Sequence, residues 1–307
     1  MNKKYIFIWV TFALLAVILL KQGGKDQLRV IMCDVGQGDA LLITYKNTQM
    51  LIDGGPNDKV LGCLRMHMPL FDHTIEWIVA THPDADHISG IIPVIKEYKV
   101  DQIITNGMMS KTKVFSELTQ LIAERHIHET TASEGDMFQY EKERFLIVWP
   151  PRLPEQQKQR ENCDNADTSS KNEYRQNATY SSTNACSIVI KLEFGDFSAL
   201  FTGDLEISQE QILIFSGKLT PVTVLKVGHH GSTHSTSQEF LEKTRPKLAF
   251  ISVGKKNSYG HPTKRVLDLL SAMNIRIFRT DRDGEVELET DGMRVWQTDG
   301  WYHKISL

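Results

Sequence analysis

The segment Thr81-His82-Pro83-Asp84-Ala85-Asp86-His87-Ile88-Ser89-Gly90 constrains this chain more than any other. Two histidines and two aspartates fall within six positions, directly after the run Ile75-Glu76-Trp77-Ile78-Val79-Ala80. Imidazole nitrogens and carboxylate oxygens are the donors from which transition-metal sites are built. The alternation His82, Asp84, Asp86 is what a turn at a strand end needs to aim several donors at one point. A fold that accepts this chain must deliver a strand into a donor-rich turn and bring further donors to meet it.

Two more strand ends offer such donors. Phe201-Thr202-Gly203-Asp204 closes an apolar run with a carboxylate. Leu225-Lys226-Val227-Gly228-His229-His230-Gly231-Ser232 closes another with paired histidines. Two metals a few ångströms apart take about six to eight protein ligands. His82, Asp84, Asp86, His87, Asp204 and one of His229 or His230 supply six, with Asp204 placed to bridge.

The pattern along the chain suits a layered α/β domain. Strands are expected over 28–32, 40–45, 50–52, 75–80, 100–105, 187–194, 197–202, 222–227 and 247–253, with short ones near 276–279, 285–289 and 293–296. Helical spacing appears over 88–98, 114–126, 237–243 and 263–273. Strands and helices thus alternate in two blocks, as in folds with helices packed outside central sheets. Between the blocks, residues 150–184 are rich in Gln, Asn and Ser with few apolar side chains, and are expected to form a mobile insertion.

With 307 residues, 41% hydrophobic and 24% charged, the chain has a globular composition. Its net charge of −3 does not announce a nucleic-acid binder. Residues 221–280 nevertheless hold ten Lys or Arg against three acids, a local excess that suits a polyanion such as nucleic acid. Tyr5 to Leu20 is a 16-residue uncharged stretch after Lys3 and Lys4. An uncleaved membrane anchor is expected there, with a cleaved secretion signal and a buried helix as alternatives. Lys3 and Lys4 favour a cytoplasmic N-terminus, which puts the remainder outside the cytoplasmic membrane or, after cleavage, in the medium. The division is then an anchor and linker over 1–27 and one domain over 28–307. Cys33 and Cys186 sit in apolar runs and are expected to be small core residues; outside the cytoplasm a disulfide is permitted, and no pair is specified.

The motifs together resemble a known family. THPDADHISG, then Thr202-Gly203-Asp204, then His229-His230-Gly231-Ser232, is similar to the metallo-β-lactamase fold, and within it to the extracytoplasmic domain of ComEC-type competence proteins. Asp34-Val35-Gly36-Gln37-Gly38-Asp39-Ala40, Leu51-Ile52-Asp53-Gly54-Gly55, Asn184-x-x-Ser187 and Ser252-x-Gly254-x-x-Asn257-x-Tyr259-Gly260-His261-Pro262 match that subgroup, over about residues 28 to 298.

The resemblance implies a four-layer αββα sandwich, preceded by the N-terminal helix, with two divalent ions at one edge. His82 and Asp84 would hold the first ion, Asp86 and His87 the second. Asp204 would bridge, and His229 or His230 would complete the second site, His229 being favoured. His230, Ser232 and Asn184 would then face substrate. Asn184 stands near where many relatives carry a further histidine, and Asp84 where many carry another. This oxygen-rich set makes manganese an alternative to zinc. Asp86 would also orient the attacking water, with His261 and Asn257 contacting the scissile phosphate or protonating the leaving group. The implied activity is metal-dependent phosphodiester hydrolysis of extracellular DNA. Hydrolysis of another ester, an amide or a lactam, and a catalytically silent binding module, are the alternatives. The chain carries one hydrophobic segment rather than a multi-helix channel, so DNA transport by itself is not expected.

Overall fold

A computed structural model describes residues 26–152 and 183–298, the backbone of 302–305, and Tyr5, Phe7, Trp9 and Phe12. Among the described residues the first six strands are β1 (Leu28–Met32), β2 (Leu41–Tyr45), β3 (Thr48–Ile52), β4 (Thr74–Ala80), β5 (Lys99–Thr105) and β6 (His128–Thr131). Seven follow: β7 (Met137–Gln139), β8 (Arg144–Trp149), β9 (Val189–Phe194), β10 (Phe197–Phe201), β11 (Val224–Lys226), β12 (Leu248–Ile251) and β13 (Arg276–Arg279). They are succeeded by β14 (Val286–Thr290), β15 (Val295–Thr298) and β16 (Tyr302–Ile305). One sheet has the order β16-β15-β14-β1-β2-β3-β4-β5-β6 and the other β13-β12-β11-β10-β9-β8-β7. The metallo-β-lactamase-like arrangement expected from the motifs is seen as these two sheets with helices on their outer faces.

The strand period of two builds the layers. In β1, Leu28, Val30 and Met32 join the core between the sheets, while Ile31 and the following Cys33 face the outer helices. In β10, Ala199 and Phe201 enter the shared core and Leu200 packs against the second helical layer. Helices Lys59–His67, Ile91–Glu97 and Lys113–Glu124 cover the first sheet. Helices Gln238–Thr244 and Lys264–Ala272 cover the second. Thr112 and Ser237 cap two of these, their hydroxyls accepting from Phe115 N and Phe240 N.

One expected helix divides. Over 88–98 the structure has Ala85–Ile88 and Ile91–Glu97, parted around Gly90. A Cβ on Gly90 would lie 1.8 Å from the Gly54 carbonyl oxygen, so only glycine lets the ligand turn press against the end of β3. Pro93 is tolerated because it is the third residue of its helix, where the amide has no helical partner anyway.

Cys33 is buried, and it is bonded to Cys63, tying the end of β1 to helix Lys59–His67. Among the described residues no cysteine is free. The anchor expected over 5–20 lies almost wholly outside the described residues, and among those described no helix is long and apolar enough to cross a membrane. Most of the 150–184 insertion, residues 153–182, likewise lies outside them.

Candidate metal centre

Strands β3, β4 and β5 are parallel, as are β10, β11, β12 and β13. The carboxyl ends of such strands are where α/β sheets collect ligands. Asp53 follows β3, the turn Thr81–His87 follows β4, Asp204 follows β10, and His229 and His230 follow β11. The turn after β4 becomes a helix at Ala85, which carries Asp86 and His87 together. The loop holding Asp39 packs on that turn: a Cβ on Gly38 would meet the Asp86 carbonyl oxygen at 2.1 Å.

Three imidazoles converge. The rings of His82 and His87 are 4.1 Å apart, and those of His87 and His230 5.5 Å. His87 Nε2 lies 3.4 Å from Asp204 Oδ1 and 3.9 Å from Asp86 Oδ2. His230 Nε2 lies 3.4 Å from Asp86 Oδ2 and 3.6 Å from Asp204 Oδ2. His82 Nε2 is 3.9 Å from Asp84 Oδ2, on a partly exposed carboxylate that accepts from the Thr183 hydroxyl at 2.7 Å.

Each ring is held from behind. His87 Nδ1 donates to Asp53 at 2.7 Å and His230 Nδ1 to the Ser252 carbonyl at 2.9 Å. The Thr81 hydroxyl donates to Asp53 at 2.8 Å, leaving its oxygen to accept from His82 Nδ1 at 3.0 Å. Bonds of this kind assign the proton to Nδ1 and turn the Nε2 lone pair inward. Accordingly, His82 Nε2, His87 Nε2, His230 Nε2 and Asp204 Oδ1 are buried with no hydrogen-bond partner among the described residues. Buried polar atoms without partners are costly. Four of them aimed into one space fit a divalent cation, and the sets His82–His87–Asp204 and Asp86–His87–His230 each bring their donor atoms within 4.8 Å.

The electrostatics agree. Burial opposes charging of His87 and His230, yet the Asp204 carboxylate, with Asp53 or Asp39 beside it, holds His87 well above its ordinary value and raises His230 to about 9. Burial likewise opposes ionisation of Asp204, but His230 and His87 hold it well below the usual carboxylate range. His82, deeply buried beside His87, is lowered to about 4 and stays neutral. Protons on His87 and His230 thus occupy the side of each ring that would face a cation.

Lys226 is a further buried charge. It alternates with Leu225 onto the inter-sheet face, is 0% exposed, donates to the Gly203 carbonyl at 2.9 Å and pairs with the equally buried Asp39. Of the ten basic residues in 221–280, Lys226 and the buried Arg279, paired with Asp281, do not contribute to a surface. Asp39 is a candidate from the sequence, with a tight Gly-flanked turn as the alternative, whereas Asp53 and Lys226 carry no expected role from their residue types. The motifs around Asp39 and Asp53 marked their positions, while Lys226 left no signal beyond a charge inside an apolar run.

The remaining expected residues fall around the cluster. His230, rather than the favoured His229, stands buried among Asp86, His87 and Asp204. His229 is at the rim, 3.7 Å from Asp204 Oδ2 and 3.4 Å from the Asn184 amide nitrogen. Both histidines have left-handed backbone, with φ of 46° and 53°, a strained conformation that aims two successive side chains at the centre. The Ser232 hydroxyl accepts from His234 N at 3.2 Å within the same turn. Asn257, expected at the substrate, instead closes its own loop: its amide donates to Gly254 O and His261 O, and its oxygen accepts from His261 N. The His261 ring sits 5.8 Å from that of His229, lowered in pKa by burial and by the neighbouring His229 and His230.

Comparison with known proteins places this architecture. No family model matches the sequence. The chain is 30% identical over 283 residues to ComE operon protein 3 of Bacillus subtilis, covering 84% of this chain and 32% of that protein. It is 27% identical over 299 residues to Recombination protein 2 of Haemophilus influenzae, covering 94% and 33%. The chain therefore spans about a third of the length of these relatives. Among solved structures it is similar to the metallo-β-lactamase fold protein YhfI of Bacillus subtilis, with a TM-score of 0.54 and 11% identity over 86% of this chain and all of that one. It is also similar to CmlA, a diiron β-hydroxylase from Streptomyces venezuelae, with a TM-score of 0.53 and 13% identity over 86% of this chain and 54% of that one.

Proposed function

We propose that this chain, which has the metallo-β-lactamase fold and resembles one third of each of two proteins named for competence or recombination, is a metal-dependent hydrolase of phosphodiesters in DNA. The fold alone does not choose the reaction, since the similar Streptomyces protein is a hydroxylase. The single observation that carries the reading is the convergence of three inward Nε2 atoms and Asp204 Oδ1, none with a hydrogen-bond partner among the described residues.

Asp86, His87 and His230 would hold one divalent ion, His82 and Asp84 a second, with Asp204 between them. A bound divalent ion supplies Lewis acidity, acidifying water and neutralising negative charge at the attacked phosphorus. The chain's own residues do the rest. Asp53, Thr81 and Ser252 keep the three imidazoles in one tautomer and orientation. Asp86, partly exposed and held below the usual carboxylate range by the His230 and His87 rings despite its burial, stays ionised to accept a hydrogen bond from water. His261 and His229 line the open side, where an imidazole would orient a phosphate oxygen or leaving group.

Three observations support DNA outside the cytoplasm. Similarity to proteins named for competence and recombination points to DNA, and Lys255 and Lys256 are exposed in the loop that carries His261. The Cys33–Cys63 disulfide suits an oxidising compartment, with residues 5–20 as the membrane anchor. The test is cleavage by the full chain, with zinc or manganese, of single- and double-stranded DNA, bis-p-nitrophenyl phosphate and nitrocefin. DNA cleavage lost in Asp86→Ala is expected. Nitrocefin turnover without phosphodiester cleavage would overturn the substrate class, and no bound metal would overturn the chemistry. His230→Ala, unlike His229→Ala, should lose one equivalent of metal.

A further inference from the structure

Resting on the nucleic-acid reading above, we propose that Tyr259 is a stacking platform that receives one unpaired nucleobase beside the metal centre, making single-stranded DNA the preferred form of substrate. Tyr259 is 70% exposed, although it belongs to a loop tied down by hydrogen bonds of Asn257. It lies nearly parallel to the His261 ring, with centroids 5.9 Å apart and planes 20° apart. The His261 ring is 5.8 Å from that of His229, whose Nε2 is 3.7 Å from Asp204. A line of rings therefore leads from open solvent to the cluster, and Tyr259 presents its free face at the outer end.

The loop is built to hold that face still. Asn257 bonds both Gly254 and His261 across it, and Gly254 N donates to Gln37 Oε1 at 3.3 Å. A rigid aromatic ring loses little freedom when a ligand stacks on it. Lys255 and Lys256, both exposed, precede the tyrosine and supply the charge that tracks a phosphate backbone. A base inside a duplex already has both faces covered by its neighbours, so only a splayed or single-stranded base gains from this platform. Stacking of this kind tolerates any base, because every base has a π-face.

The experiment uses the full chain in EDTA, where cleavage does not obscure binding, with a single-stranded oligonucleotide containing 2-aminopurine. Wild-type chain should quench the 2-aminopurine fluorescence on binding. Tyr259→Ala should abolish the quenching and weaken binding by about 5- to 150-fold, the range of one base–aromatic stack. Tyr259→Phe and Tyr259→Trp should restore both, which a merely structural role for the hydroxyl or the loop would not. A blunt duplex should be bound more weakly, with no dependence on position 259. Equal binding and quenching by wild type and Tyr259→Ala would overturn the platform while leaving the nuclease reading intact. A wild-type chain that neither binds nor, with metal restored, cleaves any DNA would overturn that reading, and the platform with it.

Discussion

Replacing Lys226 by Met removes the one ammonium held inside the cluster and leaves its size nearly unchanged. Lys226 and Asp39 are 0% and 1% exposed, so neither charge is shared with water. The substitution strips Asp39 of its ion-pair partner and Gly203 O of its donor, leaving His230 Nδ1, 3.4 Å away, as the nearest cation to that carboxylate. Removing one member of a buried pair costs about 3–5 kcal/mol, because the survivor keeps its desolvation penalty without its attraction. At about 2–4 °C per kcal/mol for a large domain, the melting temperature should fall by roughly 6–20 °C. Asp39→Leu alone should cost a similar amount. The double variant, with both charges gone, should be more stable than additivity predicts by about 1.5 kcal/mol or more. Urea and thermal unfolding in EDTA at pH 7 measure all three. A Lys226→Met protein within about 1 kcal/mol of wild type, or strictly additive single changes, would refute the claim that the two charges form one buried unit.

Other expectations can be checked with the same material. In EDTA, His230 is held at about 9 against its ordinary 6.5, so its contribution is complete below pH 6.5 and is lost as pH rises through 9. His82, held at about 4, contributes above pH 6.5 and loses that contribution as pH falls towards 4. The urea midpoint of the chelated protein should therefore pass through a maximum near pH 6–7, and saturating zinc should remove the alkaline decline; a flat profile would contradict both assignments. Asp53→Asn weakens the acceptor behind His87 and should lower metal affinity by about 10–100-fold in a chelator competition. The Cys33–Cys63 bond closes a loop with a sequence separation of 30. Replacing both cysteines by Ser should cost about 3–4 kcal/mol by chain entropy, read as a shift in urea midpoint.

How much of this was legible in the sequence depends on whether the signal was local. The turn after β4 declared itself because four donors sit side by side in one short segment, and Asp204 and the histidine pair because each ends an apolar strand. The choice between His229 and His230 was not legible. It turns on two successive left-handed residues, which decide which imidazole points inward, and no periodicity encodes that. Lys226 was hidden for a related reason: its partner Asp39 is remote in sequence, and the pairing exists only once β11 and the loop after β1 meet. Helix Ile207–Ser216 was not legible because its inner face mixes Leu213 with the buried Gln209 and Glu210, the latter accepting from Thr236 N and Ser237 N, which blurs the apolar period. Strand β8 was not legible because the run Phe145 to Trp149 abuts the polar tract and is set in place by its pairing with β9.

The buried lysine also bears on what the centre attracts. Asp39, Asp53, Asp86 and Asp204 bring four carboxylates to one space, and without metal the protons on His87 and His230 offset part of that charge. Loading the centre exchanges those protons for divalent cations, so its potential rises with occupancy. Lys226 takes no part in this exchange, its ammonium being engaged by Asp39 and Gly203 O. A centre arranged in this way holds an anionic substrate more strongly once filled than while empty. Binding of a DNA strand and binding of metal should therefore reinforce each other, each raising the other's affinity by the same factor. Measuring zinc affinity with and without a non-hydrolysable phosphorothioate oligonucleotide tests this directly, and equal affinities in the two titrations would show that the carboxylates do not govern substrate entry.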